Sequence, residues 1–233
     1  MTTIPSNIAD ALNHPYELTA DQIDFYQKNR FIKLKQVFDE ATIAFFNEAI
    51  GNRVALMNKE NTPLEQRSTY GKAFLQLFNL WKEDEVVKEF VFSKRLAKIA
   101  SDLMQVEGVR MYHDQALFKE GGGGITPWHA DQYYWPLDTD KTITMWMPLV
   151  DIDEQMGMLT FASKTQHEQL PLMEISDASE EMISNYVKEK GFEIVNQQTM
   201  KAGDATFHQG WTLHNAPGNN SNKMREVMTI IYF

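Results

Sequence analysis

The sequence contains no cysteine. Disulfides, thiolate-ligated zinc and thiol nucleophiles are therefore excluded. No run of about 18 apolar residues occurs, so no segment reads as membrane-spanning. The opening stretch MTTIPSNIADALNHP lacks both a basic n-region and an apolar h-region. No secretory signal is read there, and the expected setting is the cytoplasm. Positive charge is scarce: 22 Lys and Arg stand against 32 Asp and Glu, a net charge of −10. The densest basic neighbourhood, Lys28, Arg30, Lys33 and Lys35, reads as an ordinary solvated face. Nucleic acid and anionic membranes are accordingly not expected as partners. The sequence also has no HExxH element, which a zinc hydrolase would use to place a general base beside the metal.

What remains is ordinary globular material. The chain has 233 residues, 43% hydrophobic and 23% charged, enough to bury a core within one domain spanning 1–233. Residues 1–107 read mostly as helix. Thr19 with Gln22 three positions on forms a capping-box pattern, and Asp39 and Ser93 are candidate N-caps. Ile43, Phe46 and Ile50 fall on one helical face, as do Leu96, Ile99 and Leu103. The stretch RFIKLKQVF alternates like a strand between two of these helices.

Residues 108–233 change character. VRMYHDQALFKE, KTITMWMPLV, GMLTFAS, ATFHQGWTLH and REVMTIIYF are short, β-branched and aromatic, and turn signals separate them. One helical segment, SEEMISNYVKEKG, interrupts the series. The expectation is an α+β protein with a mainly β core, an antiparallel sandwich or barrel with an N-terminal helical layer packed outside.

Six histidines are present. His14 and His167 read as surface residues. His129 and Asp131 are two apart, so on a strand both point to one side. Two polar groups aimed into one cavity need a partner, and a divalent metal is one. A lone His-x-Asp is weak evidence. The segment GDATFHQGWTLHNAPGNNSNKMRE strengthens it. If ATFHQGWTLH is one strand, His208 and His214 share its face, and either can supply a third ligand. A hairpin through NAPGNNSN then returns Arg225 beside His214. Arginine clamps carboxylates bidentately. Two histidines and one carboxylate leave an octahedral ion half open, a pattern of non-haem iron(II) oxygenases. The GGGG run at Gly121–Gly124 lacks the Lys-Ser/Thr and helix of a phosphate loop, and reads instead as a flexible lip at the pocket mouth.

Taken together, YHDQALFKEGGGGITPWHADQYYWPLDT, MWMPLVDIDEQMGMLTFASKTQH and GDATFHQGWTLHNAPGNNSNKMRE resemble the phytanoyl-CoA dioxygenase family of Fe(II)/2-oxoglutarate-dependent oxygenases. The likeness runs from LTADQIDFYQKNRFIKL to MTIIYF. It implies a double-stranded β-helix, or jelly roll. It implies His129, Asp131 and His214 as iron ligands and Arg225 as the anchor of the distal 2-oxoglutarate carboxylate. Gln115, Lys119 and Trp146 match co-substrate pocket positions of some relatives. Cofactor and co-substrates would be Fe(II), 2-oxoglutarate and O2. The presence of Asp131, where halogenating relatives carry a small residue, favours hydroxylation of a small organic molecule with release of succinate and CO2. His113, Tyr133, Tyr134, Trp135, His208 and Trp211 are expected in the substrate pocket. The alternative is a non-oxidative metal protein, either a zinc hydrolase or a jelly-roll binding module.

Overall fold

The computed structural model describes residues 3–168 and 170–233. Helices α1 (Ser6–Asn13), α2 (Ala20–Asn29), α3 (Glu40–Met57), α4 (Thr69–Ala73), α5 (Glu85–Val91) and α6 (Lys94–Met104) occupy the N-terminal part, with short strands β1 (Phe31–Leu34) and β2 (Leu75–Phe78) among them. Strands β3 (Met111–Phe118), β4 (Thr126–His129), β5 (Ile143–Pro148) and β6 (Thr160–Ala162) follow. Helix α7 (Asp177–Lys190) precedes β7 (Ile194–Asn196), β8 (Ala205–Gln209), β9 (His214–Ala216) and β10 (Val227–Tyr232). No helix among the described residues is long and apolar enough to cross a membrane.

The helix starts follow from local chemistry. Thr19 and Gln22 close a reciprocal capping box on α2. The Asp39 carboxylate accepts from the Thr42 amide at 2.7 Å, and Ser93 Oγ accepts from the Leu96 amide. These bonds satisfy amides that a helix start leaves without partners.

The strands form two antiparallel sheets. The larger has the order β1-β8-β5-β10-β3-β2 and the smaller β4-β9-β6-β7. This is the expected jelly roll with helices outside. Strand periodicity divides the labour of the larger sheet. Ile143, Met145, Met147, Phe207, Met228 and Ile230 face the helices and join Ile43, Phe46, Ile50, Leu96, Ile99 and Leu103 in the main core. The alternate residues Thr144, Trp146, His208 and Thr229 face the space between the sheets, where they line a cavity. Phe46 is fully buried and packs on Phe90 with ring centroids 5.0 Å apart. Phe46→Ala is expected to cost about 3–5 kcal/mol of stability, read as a lower urea midpoint at unchanged slope.

Three local expectations are corrected. ATFHQGWTLH is not one strand: β8 ends at Gln209, and β9 starts at His214 in the other sheet. Gly210 enables the break, because a Cβ there would lie 2.5 Å from Thr142 Oγ1 and 2.7 Å from Gln132 Oε1. Consequently β9 and β10 are not a hairpin. The intervening loop carries the chain across from the smaller sheet to the larger. Lastly, Gly121–Gly124 is not a loose lip. The Gly122 amide donates to Asn219 O and the Gly124 amide to Lys72 O, and a Cβ on Gly121 would strike the backbone of Ser221 and Asn222. The glycines permit close packing there. β2 has no counterpart in the sequence reading.

Candidate metal centre and co-substrate pocket

The two sheets bring three ligand-type side chains together. His129 ends β4 and sits in register with His214, the first residue of β9. Ala130 continues the extended backbone, and Asp131 opens a 3-10 turn. Nε2 of His129 lies 3.6 Å from Asp131 Oδ1, and Nε2 of His214 lies 3.7 Å from the same oxygen. One donor atom from each of the three lies within 4.8 Å of the others.

The outward atoms of each side chain are already engaged. His129 Nδ1 lies 2.7 Å from the Pro127 carbonyl and His214 Nδ1 lies 2.9 Å from that of Thr212. Carbonyls only accept, so both rings carry the proton on Nδ1 and present a lone pair at Nε2. Thr144 Oγ1 donates to Asp131 Oδ2 at 2.9 Å, and His208 Nε2 approaches the same oxygen at 3.3 Å. Oδ1 is thereby left for the two histidines. Burial alone would raise the Asp131 pKa, but His214, His129 and His208 around it hold the carboxyl well below its usual value. Burial, reinforced by His129 and His208, keeps His214 neutral with its pKa well below the usual one. A carboxylate oxygen facing two imidazole nitrogens is a donor set for a divalent ion.

A second feature lies in the same cavity. Arg225 is 2% exposed, and no carboxylate pairs with it among the described residues. One of its terminal nitrogens donates to Gly157 O, its guanidinium lies 5.5 Å from the Trp146 ring, and its Nε has no partner. Burial pulls its pKa down to about 9. Gly157 adopts φ +78°, and a Cβ there would strike Pro217 O, so the turn that supports the guanidinium requires glycine. Lys119 lies behind, joined to Arg225 through a backbone bridge. Its Nζ donates to Gly124 O, Pro217 O at 3.2 Å and Thr126 Oγ1 at 3.4 Å. Burial and the neighbouring Arg225 lower its pKa to about 6.

The sequence model of the phytanoyl-CoA dioxygenase family (PhyH) matches residues 26–227. The chain belongs to the phytanoyl-CoA dioxygenase family. As such it is an iron- and 2-oxoglutarate-dependent oxygenase. Solved structures with the same fold include SnoK, a non-heme alpha-ketoglutarate-dependent carbocyclase from nogalamycin biosynthesis. It is 19% identical, with a TM-score of 0.78 over 94% of this chain and 87% of that one. The epimerase SnoN, solved with Fe3+, alpha-ketoglutarate and nogalamycin RO, is 21% identical at TM-score 0.74, covering 91% and 82%. EctD from S. alaskensis, solved with 2-oxoglutarate and 5-hydroxyectoine, is 18% identical at TM-score 0.75, covering 96% and 80%. At these identities the likeness is one of fold. No curated protein matches the chain.

Within this phytanoyl-CoA dioxygenase family member, the cavity measures about 850 Å³ and is lined by His129, Asp131, His214, Arg225, Gln115 and Trp146. His113, Tyr134, Trp135 and His208 also line it. Three expected pocket residues do not. Tyr133 and Trp211 pack edge-to-face at 4.9 Å, and the Tyr133 hydroxyl accepts from the Leu170 amide. The Tyr133 ring also packs against the small cluster under α7. Lys119 is absent from the wall because its ammonium turns to the carbonyls named above. His14 and His167 are exposed.

Sequence reasoning missed one wall entirely. Tyr70 and Phe74 at α4, Phe78 on β2 and Tyr112 on β3 all face the cavity. STYGKAFLQLF, with its rings at 70, 74 and 78, was the available signal. A chain of hydrogen bonds crosses this wall: Tyr70 hydroxyl to Gln76, Gln76 to Gln115 at 2.6 Å, and Gln115 Nε2 to His113 Nε2 at 2.8 Å. Burial lowers the His113 pKa to about 4, despite the opposing pull of Asp131.

Proposed function

We propose that this oxygenase holds Fe(II) through His129 Nε2, Asp131 Oδ1 and His214 Nε2, takes 2-oxoglutarate with its distal carboxylate on Arg225, and hydroxylates a small organic molecule. The observation that carries this reading is Arg225: a buried guanidinium without a carboxylate partner, in one cavity with three converging donor atoms. A buried unpaired cation is costly, and a dicarboxylate supplies the missing charge in a geometry that a guanidinium fork fits. The reading extends to one oxygenase domain spanning the chain, working in the cytoplasm.

When bound, iron and 2-oxoglutarate supply the oxidising power: O2 is consumed, 2-oxoglutarate becomes succinate and CO2, and a substrate C–H becomes C–OH. The protein's own groups position the partners and exclude water. The Pro127 and Thr212 carbonyls fix the imidazole tautomers. Thr144 and His208 hold Asp131 Oδ2 so that the carboxylate offers one oxygen. Trp146 and Gly157 aim the guanidinium. The zinc-hydrolase and binding-module readings are not favoured, because neither has a use for that guanidinium.

The test is anaerobic addition of Fe(II) and 2-oxoglutarate to purified protein. The expected result is the weak visible charge-transfer band of 2-oxoglutarate chelated to iron, followed by succinate on admission of air. Absence of the band at confirmed iron loading would overturn the proposal.

A further inference from the structure

The metal and co-substrate groups occupy one end of the cavity, and the rest is built differently. Its walls carry the rings of Tyr70, Phe74, Phe78, Tyr112, Tyr134 and Trp135. Tyr112 meets Trp135 at 6.3 Å and 68°, and Phe78 meets His113 at 5.5 Å and 79°. In each such contact the edge of one ring meets one face of the other, and the remaining ring faces are not engaged by that partner. Phe78 and Tyr134 remain 47% and 44% exposed, apolar area that folding alone does not bury.

The charge census is one-sided. Arg225 is the only Lys or Arg on the cavity wall among the described residues, and it lies at the co-substrate end. The carboxylates are Asp131 at the metal and Glu174, an exposed residue on the wall. His113 is neutral at pH 7, since its proton affinity is depressed by burial. The outer wall offers no Lys or Arg, so a phosphate or carboxylate buried there would lack an opposite charge. Aromatic faces carry the negative lobe of the ring quadrupole and attract cations. The net charge of −10 adds a long-range bias of the same sign.

We propose that the outer half of the cavity receives a small molecule bearing an ammonium group, held against the faces of Phe78, Tyr112, Tyr134 and Trp135 with Glu174 beside it. Phosphorylated and CoA-linked acids are rejected. The inference rests on the oxygenase reading above, in that the ammonium compound is the substrate presented to the metal.

The probes are choline, its uncharged carbon isostere 3,3-dimethylbutan-1-ol, and the anionic 3,3-dimethylbutanoate. Each is titrated by tryptophan fluorescence and ligand-observed NMR into the protein loaded with Mn(II) and 2-oxoglutarate, and into the metal-free protein. Choline is expected to bind about tenfold more tightly than the alcohol, the size of a desolvated cation–π contact. The acid is expected to bind least. Trp135→Leu should remove the preference and Glu174→Gln, at an exposed position, should reduce it. Equal or tighter binding of the alcohol or acid overturns the proposal, as does failure of all three to bind. So does a preference that survives both substitutions. Binding of 2-oxoglutarate is measured in the same samples. Its absence would count against the oxygenase reading, while the choline ratio in the metal-free protein still decides this one.

Discussion

Asp131→Ala lowers 2-oxoglutarate turnover to background while the protein remains folded. The carboxylate stands at the convergence of His129 and His214, and with it gone two imidazoles alone face the ion. Removing it also leaves the Thr144 hydroxyl and the His208 Nε2–H without their acceptor. Those losses are roughly 1–3 kcal/mol each, and the carboxyl's depressed pKa marks a charge that the fold favours, so the metal-free variant is expected to be less stable than the parent while still folded. Loaded protein is where the metal-dependent difference appears. A ligand present at a hundredfold excess over its Kd stabilises the native state by about 2.7 kcal/mol. For a chain of this size that is a rise of roughly 5–10 °C in Tm. Differential scanning fluorimetry with and without Mn(II) should show the rise in the parent protein and none in the variant. A variant that retains both the rise and the turnover would remove Asp131 from the metal site.

Arg225→Met produces two effects of opposite sign. Affinity for 2-oxoglutarate falls roughly 30- to 5,000-fold, the equivalent of the 2–5 kcal/mol lost when one partner of a buried charge pair is truncated. Without 2-oxoglutarate, however, the variant is the more stable protein. Arg225 is buried with its Nε unpartnered and its pKa drawn down to about 9, which marks a charge the fold holds at a cost. Methionine fills similar space, and the gain is expected near 1–4 kcal/mol, the range known from replaced buried ion pairs. Equilibrium titration gives the first effect and urea denaturation the second. Arg225→Lys keeps the charge but not the planar fork, so it should fall between the two in affinity. A role confined to packing would leave 2-oxoglutarate affinity unchanged.

Much of this was legible because it is encoded locally or at fixed spacing. The caps at Thr19, Asp39 and Ser93 depend on residues within three positions, and all three form. The His-x-Asp pair needs only extended backbone through Ala130, which the chain supplies. The interval from His214 to Arg225 is set by a loop that the family likeness covers. Other parts depend on partners far along the chain. Phe78 reaches the cavity because β2 pairs with β3, opposite Gln115, and no periodicity in STYGKAFLQLF announces that pairing. The break after Gln209 needs Thr142 and Gln132 against Gly210, side chains that the local sequence does not contain. Tyr133 sits beside cavity residues in sequence, yet its hydroxyl is claimed by Leu170. Adjacency there predicted a wall, and packing under α7 decided otherwise.

The crossing at Gly210 has a consequence for how the molecule holds together. It places His208 and His214 on different sheets, so the Asp131 carboxylate is gripped from both: Oδ2 by Thr144 and His208 of the larger, Oδ1 facing His129 and His214 of the smaller. A chain without cysteine has no covalent means of fastening one sheet to the other. Under the proposed ligation the ion takes that part, a removable rivet through the middle of the sandwich, and gaining or losing it changes how firmly the two halves are clasped.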